Sequence, residues 1–249
     1  MSVLQALAIL AAGAAAGAIN VVVGSGTLIT FPVLLAFGYA PVVANVSNTI
    51  GLVPGSTAGA IGYRRELEGQ GRRVRTLACA TAVGAVTGAT LLLTLPAAAF
   101  KAIVPVFIAA ALVLIVVQPR LGAWLRRHQT HAHERVGAGT LLAVFVTGVY
   151  GGYFGAAQGI LLLAILGLAI EDRLQRLNAT KNVLAGLANL LSGVIFAVAA
   201  HVYWPAVGLI ALGATAGGVL GARYGRRLPP ALLRALIVVV GIVAIVRLL

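Results

Sequence analysis

Ten apolar runs dominate this chain, at roughly 3–23, 27–38, 41–62, 75–95, 97–117, 138–154, 159–170, 172–199, 203–222 and 229–248. A helix needs about 20 apolar residues to cross a bilayer. Most of the runs are that long. Inside lipid, only helices and closed barrels satisfy their own backbone groups, and these runs far exceed a barrel strand. The expected fold class is therefore an all-α polytopic membrane protein whose first partner is the lipid bilayer. Charged residues make up only 9% of the chain and hydrophobic residues 61%, whereas about a quarter of a soluble domain is charged. The 31 glycines fit close helix packing in lipid. Cys79 stands alone, which excludes a disulfide framework and a cysteine metal site.

Two runs, 27–38 and 159–170, are too short to span, at ~18 Å each. Each follows a glycine turn: Gly24-Ser25-Gly26-Thr27 in one case, Gly155-Ala156-Ala157-Gln158-Gly159 in the other. Each precedes a polar cluster inside apolar sequence, Asn45-Val46-Ser47-Asn48-Thr49 and Asn178-Ala179-Thr180-Lys181-Asn182. The clusters align with an offset of 133, which also places Gly84 on Gly217, Gly88 on Gly221 and Leu95-Pro96 on Leu228-Pro229. The glycine turns align with an offset of 131, Gly17 on Gly148 and Gly24 on Gly155. The chain therefore reads as two transmembrane repeats, 1–117 and 137–249, joined by a polar cytoplasmic linker, 118–136. Each repeat is a glycine-broken helical hairpin followed by three spans.

Five segments per repeat is an odd number, so the second repeat is expected to be inverted. That arrangement gathers Arg64, Arg65, Arg72, Arg73, Arg75, Arg120, Arg126, Arg127, Arg135, Arg173, Arg176, Arg223, Arg226 and Arg227 on one side, fourteen of the eighteen basic residues. Four spans per half would scatter them. The positive-inside rule favours five plus five and makes the arginine side cytoplasmic. The net charge of +13 is thus topogenic, and no aromatic-interleaved basic surface points to nucleic acid. The first run has no Lys or Arg before it, unlike a signal peptide, and is expected to belong to the mature protein.

Polar groups within spans mark function. A helix that opens after a glycine turn presents unpaired N–H groups and the positive end of its dipole, which suits an anion. Ser25, Thr27 and Gln158 would add side-chain donors. Asn45, Asn48 and Thr49 share one helix face at spacings of three and four, and Asn178, Lys181 and Asn182 repeat this. A helix starting at Pro41 puts Asn48 ~10 Å along it, and one capped by Asp172 puts Lys181 ~13 Å along. A lysine at that depth faces a wet cavity, a partner or a bound anion; snorkelling to the surface is the alternative. Glu66, Glu68, Glu134, Glu171 and Asp172 all lie in loops or at segment ends. With no intramembrane carboxylate to carry a coupling ion, transport is expected to be uncoupled or weakly coupled.

The glycine-rich first helix, Asn45-x-Ser47-Asn48, and the reprise at 155–159 and Asn178-x-Thr180-Lys181-Asn182 resemble the TauE/SafE family of sulfite exporters over essentially the whole chain. The resemblance implies export of sulfite or organosulfur anions such as thiosulfate and sulfoacetate.

The sequence reading is then a multi-pass bacterial inner-membrane transporter, not an enzyme, working by alternating access between paired broken helices. The substrate-binding candidates are Gly24, Ser25, Gly26, Thr27, Asn45, Ser47, Asn48, Thr49, Gly155, Gln158, Gly159, Asn178, Thr180, Lys181 and Asn182, around a small anion held between the two turns. No cofactor or metal is expected. A channel-like path, a larger organic acid and a structural scaffold remain as other readings. An intramembrane enzyme lacks a nucleophile–base pair. His128, His131 and His133 read as solvated, and His201 to Pro205 as an interfacial anchor. The oligomeric state stays open, a homodimer being one option.

Overall fold

The structure is a computed structural model that describes residues 1–128 and 136–224, together with 238, 239 and 242. These residues form nine α-helices: α1 (Val3–Val22), α2 (Thr27–Ala36), α3 (Pro41–Gly62), α4 (Gly71–Thr94), α5 (Ala97–His128), α6 (Ala138–Tyr153), α7 (Gln158–Ala169), α8 (Leu174–Ala199) and α9 (Trp204–Tyr224). A short 3-10 helix, Arg64–Leu67, follows α3. The described residues contain no strand. The first nine apolar runs and the helices agree to within a few residues, apart from the far end of α5, because lipid leaves a long apolar run no other way to pair its backbone.

Among the described residues five helices are long and apolar enough to cross a membrane: α1, the first 22 residues of α5, α4, α8 and α9. The 22-residue α3 is long enough, but Asn45, Ser47, Asn48, Thr49, Ser56 and Thr57 lower its apolar character. Most of those groups turn inward, whereas Thr57 is exposed and donates its hydroxyl to the Val53 carbonyl of its own helix. Asn45, Ser47, Asn48, Thr49 and Ser56 are all buried.

Three parts of the sequence reading need revision or lie outside the described residues. α5 runs on to His128, so 118–128 is helix rather than loop, and only 129–135 of the expected linker lies outside the described residues, with His131, His133 and Arg135. Most of the run at 229–248, with Arg226, Arg227, Arg234 and Arg247, also lies outside them. Asp172 does not cap α8. Arg173 occupies that place without a side-chain bond, and the Asp172 carboxylate is taken by Arg73 and Arg176.

Glycine stripes set the packing. A Cβ added at Gly17 would lie 2.2 Å from the carbonyl oxygen of Ala214, and one at Gly217 would lie 1.9 Å from that of Ala14. α1 and α9 therefore meet backbone to backbone and run parallel. α4 and α6 do the same. Gly148 packs on Thr81 and Gly84 on Phe145, and these residues are the repeat equivalents of the first pair at offsets of 131 and 133. Close approach through small residues is how helices associate in lipid, where the hydrophobic effect between them is absent.

α3 lies parallel to α1 and α9, as Asn20 bonds Ser56 and Gly51 packs on Ile210. α8 lies parallel to α4, as Thr180 bonds Gln70 and Ser192 bonds Ala85. Between these groups α3 and α8 run antiparallel, Gly186 against Ser56 and Gly193 against Ile50. They are joined at their repeat-equivalent positions by a bond from Asn189 Nδ2 to Ser56 Oγ, 3.3 Å. α2 doubles back along α1, so that Thr27 and Thr30 reach Asn48.

Candidate functional site

The site is built where the two glycine turns touch. Gly24 has φ +90 and Gly155 φ +75, a region open to glycine and costly for other residues. α1 thus stops at Val22 and the chain reverses into α2 at Thr27; α6 stops at Tyr153 and α7 begins at Gln158. Ala157 also holds a left-handed conformation, at φ 59, which costs a residue with a Cβ about 1–2 kcal/mol. It is fully buried, so packing holds it there. The Gly159 N–H donates to the Gly24 carbonyl at 3.0 Å. A Cβ on Gly24 would lie 2.5 Å from Gly159 Cα. In this conformation the turns are closed on each other, with no room between them.

Lys181 lies against this contact. Its side chain is 0% exposed, and a Cβ on Gly159 would come within 3.1 Å of Lys181 Cδ. The ammonium donates to the carbonyl oxygens of Asn20 and Val21, both at 3.1 Å. Those carbonyls are the negative end of the α1 dipole. Snorkelling is therefore overturned, since full burial leaves no path to the surface. No carboxylate among the described residues pairs with it, the ion pairs being those of Asp172 with Arg73 and Arg176.

The asparagines tie each repeat to the other's broken helix. Asn45 Nδ2 donates to the Tyr153 carbonyl at the end of α6, 3.0 Å. Asn178 Nδ2 donates to the Val21 carbonyl near the end of α1, 3.3 Å. Asn48 binds within its own repeat, donating to Thr27 Oγ1 at 3.3 Å and accepting from Thr30 Oγ1. Asn48 and Lys181 hold equivalent positions, so the site is chemically lopsided: the amide closes the first turn locally, while the ammonium reaches across to the opposite repeat.

Several buried polar atoms here have no partner: Ser25 Oγ, Asn182 Nδ2, Tyr153 Oη, Asn45 Oδ1 and Asn178 Oδ1. Buried groups left unpaired cost about 1–3 kcal/mol each. Three of the five are donors.

Other candidates turn elsewhere. Ser47 Oγ accepts from the Tyr203 N–H at 3.0 Å, and Thr180 Oγ1 donates to Gln70 Oε1 at 3.1 Å. These are equivalent contacts that pin loops, not parts of the cluster. Thr49 folds back on the Asn45 carbonyl. Gln158 packs on Gly151 and donates to the Thr147 carbonyl rather than reaching across. Gly26 donates its N–H to Asn20 Oδ1 at 3.4 Å.

Sequence reasoning missed Asn20, whose amide donates to Ser56 Oγ at 3.1 Å, and Tyr153 and Gln70. Asn20 aligns with Gly151, so the repeat gave it no echo. Tyr153 sits on the glycine-turn side of α6 and reads as an ordinary interfacial aromatic.

A helical membrane protein with paired broken helices meeting at its centre, each crossed by a polar span, is a transporter architecture. Residues 9–248 match the family described as "Sulfite exporter TauE/SafE", and the chain belongs to that family. It is 29% identical over 94% of its length to a "Probable membrane transporter protein ORF9" of Sinorhizobium sp., covering 88% of that protein. It is 28% identical over 94% of its length to "Probable membrane transporter protein YfcA" of Escherichia coli strain K12, covering 86% of it. A "Probable membrane transporter protein" of Haemophilus influenzae is 26% identical over 87% of the chain and 82% of its own length. No solved structure matches. The protein is thus a multi-pass bacterial membrane transporter.

Proposed function

We propose that the protein exports small sulfur-containing anions, such as sulfite, thiosulfate or sulfoacetate, from a site beside the twin glycine turns. The observation that carries this reading is Lys181, a fully buried lysine that no carboxylate among the described residues neutralises. A central lysine costs about 3 kcal/mol on insertion scales, and a bound anion would offset that cost. Ser25, Tyr153 and Asn182 supply unpaired donors for its oxygens, and the N-termini of α2 and α7 supply dipole charge.

The halves act as inverted repeats that rock to alternate access. The opposed directions of α1 and α6 support this, as does the exchange of equivalent contacts between halves. The ends of α3 and α9 and the starts of α4 and α8 meet at one face, as Gly62 against Ala222 and Arg73 against Asp172 show. That face carries Arg64, Arg65, Arg72, Arg73, Arg75, Arg173, Arg176 and Arg223 and is cytoplasmic by the positive-inside rule. The turns, closed on each other here, separate to admit the anion.

The test is flux of sulfite, thiosulfate, sulfoacetate and chloride in proteoliposomes, wild type beside Lys181→Ala. Flux of the sulfur anions that disappears in the variant is the expected result. Wild-type flux retained in the variant would remove Lys181 from the site. Absence of all four fluxes in folded wild type would refute the substrate class.

A further inference from the structure

A second polar feature lies away from the turns. A cleft of about 770 Å³ opens on the arginine face between the start of α4 and the start of α8, and its lining includes Gln70, Arg72, Arg73, Thr76, Glu171 and Arg176. Three guanidinium groups against one lining carboxylate give it an excess of positive charge. At its edge the Asp172 carboxylate accepts from both Arg73 and Arg176, so one acid of the second repeat is shared between the repeats. Arg73 Nε is buried without a partner. Only part of that guanidinium's donor capacity is met by Asp172 and by Gln70 Oε1.

The floor of the cleft connects inward. Gln70 is 2% exposed. Its carbonyl oxygen accepts from Arg73 on the cleft side and from Thr180 on the core side. Thr180 is the residue before Lys181 on α8. A chain of polar groups therefore leads from the exposed Arg72 through Arg73, Gln70 and Thr180 to the helix turn that carries the buried ammonium.

We propose that this cleft is a second anion site, where an oxyanion docks on Arg72, Arg73 and Arg176 in competition with Asp172 before it reaches Lys181. Planar guanidinium forks suit the oxygens of sulfonate, sulfite or carboxylate groups. A concave basic surface also raises the local anion concentration. Asp172 acts as the resident counter-ion, holding the arginines in place when the cleft is empty and yielding them to an arriving anion. As a step toward the inner site the proposal rests on the transport reading, but docking itself does not.

Sodium thiosulfate titrated calorimetrically into the full chain in detergent tests it, together with thiosulfate flux in proteoliposomes. Lys181→Met should keep the cleft event and lose flux. Arg72→Gln, at an exposed position that bears on no fold contact, should weaken that event roughly threefold or more, raise KM in step with little change in kcat, and flatten the salt dependence. Asp172→Asn should strengthen it and lower KM. Titrations of Arg72→Gln and Asp172→Asn that both match wild type would overturn the proposal. Should Asp172→Asn fail to fold, Arg72→Gln decides alone. Cleft binding in a wild type that carries neither thiosulfate nor sulfite would leave this site standing and defeat the transport reading.

Discussion

Lys181 Nζ and the Val21 carbonyl oxygen lie 3.1 Å apart, joining α8 of the second repeat to the broken end of α1 in the first. The same carbonyl accepts from Asn178 Nδ2. The ammonium therefore caps a helix whose C-terminal carbonyls have no further turn to bond, and among the described residues it is also the basic side chain buried beside the glycine turns. Those two roles separate under substitution. Lys181→Met removes two charge-assisted hydrogen bonds but also removes a buried charge. Its stability should change by no more than about 2 kcal/mol in either direction, while anion flux falls at least tenfold. Lys181→Arg should retain part of the flux. Thermal unfolding in detergent beside proteoliposome flux checks both. Flux that falls only in proportion to lost folded protein would make the lysine a cap and nothing more.

Gly24 and Gly159 leave no room for a methyl group. Gly24→Ala puts a Cβ 2.5 Å from Gly159 Cα and imposes a left-handed conformation costing about 1–2 kcal/mol. The turns must then part. Gly38 is the matched control: it has φ +84 but nothing within 4 Å of an added Cβ, so Gly38→Ala should carry only the backbone cost. Flux lost in Gly24→Ala and kept in Gly38→Ala, at similar expression, is the expected pattern. Equal flux in the two variants would show that turn contact is irrelevant to transport.

The helices were legible because lipid turns apolar length directly into helix. The short segments were legible too, since 27–38 and 159–170 cannot span and each follows a glycine. Burial of the Asn and Lys clusters followed from their depth. Their partners did not follow. Lys181 meets Asn20 and Val21 across some 160 residues of sequence, and nothing in the local pattern around Asn20 marks it as central. Repeat alignment found Ser47 and Thr180 because they are equivalent, yet equivalence does not distinguish a ligand from a loop pin. Both bond to connecting segments. Asp172 had the composition and position of an N-cap, but two arginines, one of them 99 residues away, compete for its oxygens. The helical extension of α5 past 117 was hidden because its last turns are polar, and hydropathy marks where a helix leaves the membrane rather than where it ends.

Asp172 makes stability depend on pH in a defined direction. Burial would raise its pKa, but hydrogen bonds from Arg73, the Arg173 backbone N–H and Arg176 outweigh that and hold the carboxyl below its ordinary 3.8. A carboxyl depressed in the folded state stabilises the fold at pH above its unfolded value. That contribution is complete at neutral pH and shrinks as the pH falls below about 4, toward the lower folded pKa. Wild type should therefore be more stable than Asp172→Asn at pH 7, and the gap should close in acid. Thermal melts of both proteins in detergent from pH 7 to pH 3 check this. A gap that stays constant with pH would mean that the carboxylate's charge contributes nothing.

The last expectation concerns energy coupling. Glu66, Glu68, Glu171 and Asp172 lie in connecting segments rather than inside the long helices, and the described residues hold no cluster of three or more His, Cys, Asp or Glu side chains. Proton- and sodium-driven carriers commonly hold the coupling ion on such groups within the membrane. Among the described residues the polar side chains around the glycine turns are amides, hydroxyls and Lys181, while Cys79 on α4 and Lys101 near the start of α5 lie elsewhere in the spans. An inside-negative potential alone drives a monovalent anion outward with ~2.3 kcal/mol per 100 mV. Export should accelerate when a potassium–valinomycin potential is made negative on the arginine-rich side. It should be unchanged by imposed sodium gradients, and by pH gradients once the protonation of the anion itself is held constant. Sulfonates, which stay ionised across the working range, are the clean probe. Sulfoacetate flux that requires a proton gradient would place a titrating group on the path and exclude simple potential-driven export.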